Sequence, residues 1–341
     1  MTTSAPEAGI EERLSTRSER LHISIGAVCN NNCIFCMEED RDARYVNNSA
    51  MTAERVRWVL EEHRGAEEVC FTSGEPTTRS ELPEFVTWAK ELGFRRISMM
   101  TNGRRAAHLA YVAALTRRGL NRLYVSIHGH EARLHEGLTR TPGSFTQTVE
   151  GLGNAAKLKR YGLELHTSTV LTRRNLPYLL EIYGFLRGLG VDQVVFNVMQ
   201  ANGRADTFFE QLFPRYTDIA AEFAAFLART GEERPMAFLV DIPLCTTEGI
   251  PDFNRGYVEK YRHYDLESEL RLPLARDPAR EGKGRGAGLL LVTRADLDDH
   301  GREKLPRCGT CKYSASCEGV WKNYIKRYGW DEMKPIGAPS P

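Results

Sequence analysis

Three cysteines, Cys29, Cys33 and Cys36, stand at CxxxCxxC spacing in the stretch Cys29-Asn30-Asn31-Asn32-Cys33-Ile34-Phe35-Cys36. The loop is short and polar and directly follows an apolar run at 21–28, so three thiolates can converge on one point. Thiolates are soft ligands that suit iron–sulfur clusters or zinc. Three ligands on a four-iron cube leave one iron open to bind and activate a small molecule. A zinc knuckle is the competing use of such a loop, but it would want a fourth Cys or His nearby, and none follows closely.

Two further stretches bear on chemistry. Ser73-Gly74-Glu75-Pro76 follows a short apolar strand-like run, 68–72, and Cys308, Cys311 and Cys317 stand at CxxCxxxxxC spacing near the end of the chain. The first cysteine trio and the Ser-Gly-Glu-Pro turn together resemble the radical S-adenosylmethionine (SAM) superfamily. In that family three cysteines hold a [4Fe-4S] cluster whose open iron chelates the amine and carboxylate of SAM. One-electron cleavage then yields methionine and a 5′-deoxyadenosyl radical that takes a hydrogen atom from substrate; the cofactor carries the hard chemistry and the protein positions it. The resemblance implies that Phe35 lies near the adenine. It also implies that Ser73, Gly74, Glu75 and Pro76 form the family's GGEP turn, with Ser in place of the first Gly, against the SAM ammonium. Ser126 resembles the polar residue that meets the ribose or carboxylate. Asn102 is a further candidate, although Asn-Gly is also ordinary turn chemistry. One of Thr167, Ser168 and Thr169 is expected to face SAM, with Ser168 taken here. Asn175 is a candidate too, with helix capping the competing use. Of the histidines, His128 is the best placed for catalysis, at a strand end facing the presumed cavity, although a lone His is more often core or surface.

The C-terminal spacing resembles the SPASM and twitch extensions of radical SAM enzymes, which bind auxiliary [4Fe-4S] clusters. The fuller pattern has another cysteine where this chain has Trp321. Ligands for two auxiliary clusters are therefore lacking. Cys245, 63 residues before Cys308, is the candidate fourth ligand beside Cys308, Cys311 and Cys317. The alternative is a structural zinc on the same four residues.

The elements that must hold these residues alternate. Strands are expected at 21–28, 68–72, 95–100, 122–127, 163–171 and 193–199, with helices at 51–64, from Ser80 to 92, 105–118, 144–161, from Asn175 to 188, and 209–229. Ser80 and a Ser144–Gln147 capping box would start two of the helices. This is an α/β pattern with a parallel sheet, a partial (β/α)6 TIM-type barrel with active-site residues at the strand C-termini. A flexible arm is expected at 1–20, the barrel at 21–235, and a small irregular iron–sulfur module at 236–341, with strands at 236–242 and 289–292.

Net charge is +1 from 46 basic and 45 acidic residues, so bulk charge makes no case for nucleic acid or membrane binding. No apolar run of spanning length and no signal-peptide core is present, which points to the cytoplasm. Six of the eight cysteines fall in two tight clusters, the pattern of metal or redox chemistry in a reduced compartment. The resemblance implies a flavodoxin- or ferredoxin-type reductant. A small metabolite or natural-product intermediate is the expected substrate, with net oxidation through the auxiliary cluster. Peptide maturases of this group often carry a leader-binding domain before the barrel, and about 20 residues are too few for one. A separate partner protein leaves cross-linking or epimerisation of a ribosomal peptide open. The reading of a different class is a non-catalytic iron–sulfur electron carrier or sensor.

Overall fold

The computed structural model describes residues 20–37, 52–64, 66–230, 236–247, 250, 301–314, 317 and 319–337, with backbone alone at 272–274 and 290–292. The expected arm and most of 249–300 lie outside the described residues.

Seven strands form one parallel sheet: β1 (Arg20–Ser24), β2 (Glu68–Thr72), β3 (Arg96–Thr101), β4 (Arg122–Ser126), β5 (Glu164–Leu171), β6 (Gln193–Val198) and β7 (Ala237–Val240). Their order in the sheet is their order in the chain, and the sheet is not closed. It is a partial TIM-type barrel. The helices of the crossovers are α1 (Ala53–Glu62), α2 (Leu82–Glu91), α3 (Leu109–Arg118), α4 (Ala132–Thr139), α5 (Ser144–Leu158), α6 (Leu179–Gly188), α7 (Gly203–Thr207), α8 (Phe209–Leu212) and α9 (Tyr216–Thr230). Each turns an apolar stripe inward; on α1 the buried residues are Val56, Val59 and Leu60.

The alternation predicted six strands, and the sheet has a seventh. The run at 236–242, expected beyond the barrel, supplies β7, which pairs in parallel with β6 from Val194↔Ala237 to Asn197↔Val240. Its four residues are all buried, and α9 is the crossover that delivers it. β1 is shorter than expected: it ends at Ser24, and 25–28 already belong to the cysteine loop, where the backbone turns to meet the Ser73-Gly74 turn. Helix α4 was missed; eight residues between a His-Gly-His turn and Thr-Pro-Gly are too few to show a helical period.

Two expected caps fail for visible reasons. Ser80 Oγ donates to the Glu81 carboxylate at 2.9 Å, and the residue that precedes α2 is Glu81, without a side-chain cap. Ser144 lies inside α5, behind Gly143 as the capping residue, and its Oγ pairs with Thr139 Oγ1 at 2.8 Å. Gln147, which would close the box, accepts Arg104 Nε at 2.7 Å.

The floor of the barrel, at the N-terminal strand ends, is a buried ion network. Glu68 is fully buried and accepts from Ser98 Oγ (2.6 Å), Arg122 Nη1 (2.8 Å) and Tyr124 OH (3.2 Å), with Arg20 Nε at 3.3 Å. Burial alone would raise its pKa. Arg20 and Arg122, with Ser98 and His22, overcome that and hold the carboxyl below its ordinary range. The network seals one end of the barrel, so the open end is the one that carries the cysteines.

The C-terminal region adds a hairpin of β8 (Leu272–Leu274) with β9 (Leu290–Val292), a second of β10 (Arg302–Glu303) with β11 (Val320–Trp321), and helix α10 (Lys322–Tyr328). It is welded to the barrel by aromatics: Tyr324 is fully buried, its ring 4.1 Å from that of Tyr216 and 5.3 Å from that of Phe213. Arg173 donates to Tyr328 OH at 2.7 Å, and Asn323 Nδ2 donates to Ala201 O at 2.9 Å.

Candidate active site at the strand C-termini

Cys29, Cys33 and Cys36 are half-buried in the loop after β1. The loop is held from several sides. Asn32 N donates to Thr139 O (3.1 Å) and Ile34 N to Leu138 O (2.9 Å), both at the end of α4, while Ala205 N in α7 donates to Cys36 O (3.2 Å). Two arginines grip the residues between the first two cysteines. Arg104 Nη1 donates to Asn30 O (2.5 Å) and Asn31 Oδ1 (3.0 Å), and Arg204 Nη1 donates to Asn32 O (3.2 Å) and Asn32 Oδ1. Asn31 N donates to Cys29 Sγ at 3.4 Å, the kind of contact that favours a thiolate.

The Ser73-Gly74-Glu75-Pro76 turn docks directly under this loop. Glu75 N donates to Val28 O at 2.7 Å. Gly74 has φ +55°, and a Cβ there would lie 2.5 Å from Val28 O and 2.7 Å from Gly26 O, so only glycine fits. Ser73, where the family pattern has Gly, is itself left-handed at φ 72°. The Glu75 side chain is buried and taken up by protein donors: Thr77 N (3.1 Å), Thr77 Oγ1 (2.7 Å), Thr101 Oγ1 (2.6 Å) and Asn102 N (2.7 Å). Burial pushes its pKa up, against the pull of these four donors. Pro76 opens the short 3₁₀ turn that follows, Pro76–Thr78. Asn102 Nδ2 donates to Asn30 Oδ1 at 2.6 Å, and its own Oδ1 caps Arg104 N at 3.1 Å. Its side chain thus ties β3 to the cysteine loop, which is more than turn chemistry.

Across the open end, Ser126 and Ser168 are register partners on β4 and β5, both half-buried. Asn197 on β6, which the sequence reading did not single out, donates from Nδ2 to Ser168 Oγ. Thr167 and Thr169 are fully buried on the opposite face of the strand from Ser168. Phe35 packs its ring edge-on against His128, centroids 4.6 Å apart. His128 is buried, and its Nδ1 accepts from Val170 N at 3.2 Å, leaving the ring hydrogen on Nε2. Burial, with His135 beside it, holds His128 well below the ordinary histidine range, so the ring is neutral. Asn175 spends its side chain on Thr172 N (2.7 Å), His128 O (3.1 Å) and Val170 O (2.9 Å), joining the ends of β4 and β5 instead of capping a helix.

Cys245, just after β7, lines one cavity with Cys308, Cys311 and Cys317, beside Pro243, Tyr313 and Met333. Burial pushes the Cys245 thiol up to about 12, and the other three sulfurs add to the shift. Gly319 N donates to Cys317 Sγ and Ile336 N to Cys311 Sγ, each at 3.4 Å. Among the described residues no three His, Cys, Asp or Glu side chains are gathered closely enough to hold a single metal ion. A cube of four irons spreads its ligands more widely than one zinc. Soft donors with N–H···S contacts fit such a group at both places. Trp321, standing where the fuller pattern has a cysteine, is buried against Gly301, and Arg302 lies over its ring at 4.2 Å.

Comparison with known proteins agrees with this geometry. Residues 23–186, just under half of the chain, match the family described as the Radical SAM superfamily. It is 31% identical over 179 residues to a probable GTP 3′,8-cyclase of Sulfolobus acidocaldarius, covering 52% of this chain and 54% of that protein. It is 30% identical over 201 residues to a probable GTP 3′,8-cyclase of Sulfurisphaera tokodaii, covering 58% and 62%. The matched part thus spans little more than half the length of these curated relatives. In fold, the chain is similar to the crystal structure of Streptococcus suis SuiB bound to S-adenosylmethionine, with a TM-score of 0.61, 15% identity, and coverage of 94% of this chain and 77% of that one. It is also similar to native anSMEcpe with bound AdoMet and Cp18Cys peptide, with a TM-score of 0.57, 15% identity, and coverage of 94% and 92%. At such identity the likeness concerns the fold alone.

Proposed function

We propose that this protein is a radical SAM enzyme that reductively cleaves S-adenosylmethionine and abstracts a hydrogen atom from a small metabolite or natural-product intermediate, with net oxidation through an auxiliary [4Fe-4S] cluster. The observation that carries this reading is the convergence at one end of the barrel. There the CxxxCxxC loop, the Gly74 turn beneath it and the polar pair Ser126 and Ser168 share an opening whose far end is sealed. Cys29, Cys33 and Cys36 would hold the cluster. When bound, it supplies the electron for cleavage, delivered by a flavodoxin- or ferredoxin-type reductant. Phe35, backed by His128, walls the adenine. Ser126 and Ser168, the latter oriented by Asn197, meet the ribose or carboxylate. Ser73, Gly74 and Pro76 shape the turn that faces the ammonium. Glu75 and Asn102 lock that turn to β3 and to the cysteine loop. Cys245, Cys308, Cys311 and Cys317 would hold the auxiliary cluster, to which a substrate radical loses its electron.

A small-molecule substrate accords with relatives described as nucleotide cyclases. A peptide substrate is the second reading. It is favoured because the fold likeness covers 94% of the chain, including the C-terminal module, in structures such as SuiB bound to precursor peptide SuiA. Iron, labile sulfide and zinc counted per chain after anaerobic reconstitution test the two-cluster assignment. About eight irons are expected, falling to about four when Cys308, Cys311 and Cys317 are replaced by alanine. About four irons with one zinc would overturn the auxiliary cluster.

A further inference from the structure

Arg104 and Arg204 are two cations aimed at one anionic loop. Arg204 is 9% exposed and reaches back from α7, after β6, to the residue just before Cys33. Arg104 comes from the turn after β3 and grips the residue just after Cys29. Among the described residues their side-chain partners are all neutral: the carbonyl and amide oxygens of Asn30, Asn31 and Asn32 and, for Arg104, Gln147. Several other partly buried arginines here have carboxylates, with Arg20 and Arg122 on Glu68, Arg79 on Glu81 and Arg302 on Asp241, whereas Arg55 lies over the Trp58 ring. Among the described residues, Arg104 and Arg204 are without one. A guanidinium removed from water and left without a carboxylate is costly unless another negative charge offsets it. Arg204 is the more deeply buried of the two, and both hold the residues that stand between Cys29 and Cys33.

We infer that Arg104 and Arg204 are positioning and charge-compensating residues for the SAM-cleaving cluster, which set its reduction potential by stabilising the more negative, reduced form. This rests on the reading of Cys29, Cys33 and Cys36 as cluster ligands. Three thiolates on a [4Fe-4S]²⁺ core carry one net negative charge, and accepting one electron from the reductant makes it two. Fixed positive charge beside the loop favours that second charge, the general lever of net charge and surrounding hydrogen bonds on cluster potentials. The asparagine carbonyls orient the guanidinium groups, so cysteine geometry and charge are set by the same contacts.

The test is an anaerobic redox titration of the reduced cluster's electron paramagnetic resonance signal, using the component that SAM perturbs. Wild type is compared with Arg204→Gln, Arg204→Lys and Arg104→Gln. The glutamine variants are expected to need a more negative potential. At a fixed solution potential their reduced-to-oxidised ratio should fall about tenfold, equivalent to about 59 mV for a one-electron couple. Arg204→Lys should stay near wild type. Unchanged midpoints in iron-replete glutamine variants would overturn the inference. So would equal shifts in Arg204→Gln and Arg204→Lys, or loss of iron in all three variants alike, because each would make the arginines mere clamps. A wild-type protein without any SAM-responsive signal would instead defeat the cluster reading beneath it.

Discussion

Ser73 and Gly74 show how a residue's backbone can matter more than its side chain. Both are left-handed, but only Gly74 is hemmed in by the 26–28 backbone. Gly74→Ala should therefore break the docking of the turn under the cysteine loop, and iron content after reconstitution should drop. Ser73→Gly should do the reverse. It removes a strained non-glycine φ, of order 1 kcal/mol, and should raise the thermal midpoint with iron content unchanged. A lower midpoint would show that the Ser73 side chain contributes more than its strain costs. At this scale the sequence was a partial guide. The cysteine spacing and the Ser-Gly-Glu-Pro turn were legible because backbone and ligand chemistry restrict those positions to few residue types. The partners of Asn102, Asn175 and His128 were not, since each reaches a group more than 20 residues away, the Asn30 side chain, His128 O and Val170 N respectively, and no local pattern announces that.

At the scale of elements, the strands read clearly and the helix starts did not. β2 was expected at 68–72 and is found there, because a run buried on both faces leaves little choice. The caps misled because Ser144 and Gln147 have tertiary partners that outcompete the local box. The floor network was also invisible in sequence, since Arg20, Glu68 and Arg122 meet only through the register of β1, β2 and β4. It yields two predictions. Glu68→Gln removes the buried carboxylate charge that Arg20 and Arg122 share, and denaturant titration should show a loss of about 3–5 kcal/mol, the usual penalty for breaking a buried pair from one side. The second concerns pH. The hydrogen bond with His166, then Arg122, hold Glu164 down to about 2, and Glu68 is lowered as well. For carboxyls depressed in the folded state, the stabilisation is fully present above the unfolded value near 4.5 and is lost as pH falls through the folded value. The denaturation midpoint should therefore fall between about pH 4.5 and pH 2, and Glu164→Gln should flatten that fall. An unchanged slope in the variant would remove Glu164 from the account.

For the molecule as a whole, one cysteine group follows β1 and the other lies in the cavity beside the end of β7. The aromatic weld of Tyr216, Phe213 and Tyr324, with the Arg302–Asp241 pair at 3.3 Å beside β7, fixes the C-terminal module against the open end of the barrel. That arrangement suits an electron leaving substrate for a second cluster without domain motion. The pairing of Cys245 with the distant trio was legible only by elimination, and the cavity gives it a physical basis. No helix among the described residues is long and apolar enough to cross a membrane. The electron-carrier reading and the enzyme reading share every cysteine and differ only in what the opening between them does. The decisive measurement is 5′-deoxyadenosine formed from SAM by the anaerobically reconstituted, reduced protein. The account predicts slow formation without added substrate, abolished by Cys33→Ala and retained in a variant lacking Cys308, Cys311 and Cys317. An iron-replete wild-type protein that forms none would contradict it.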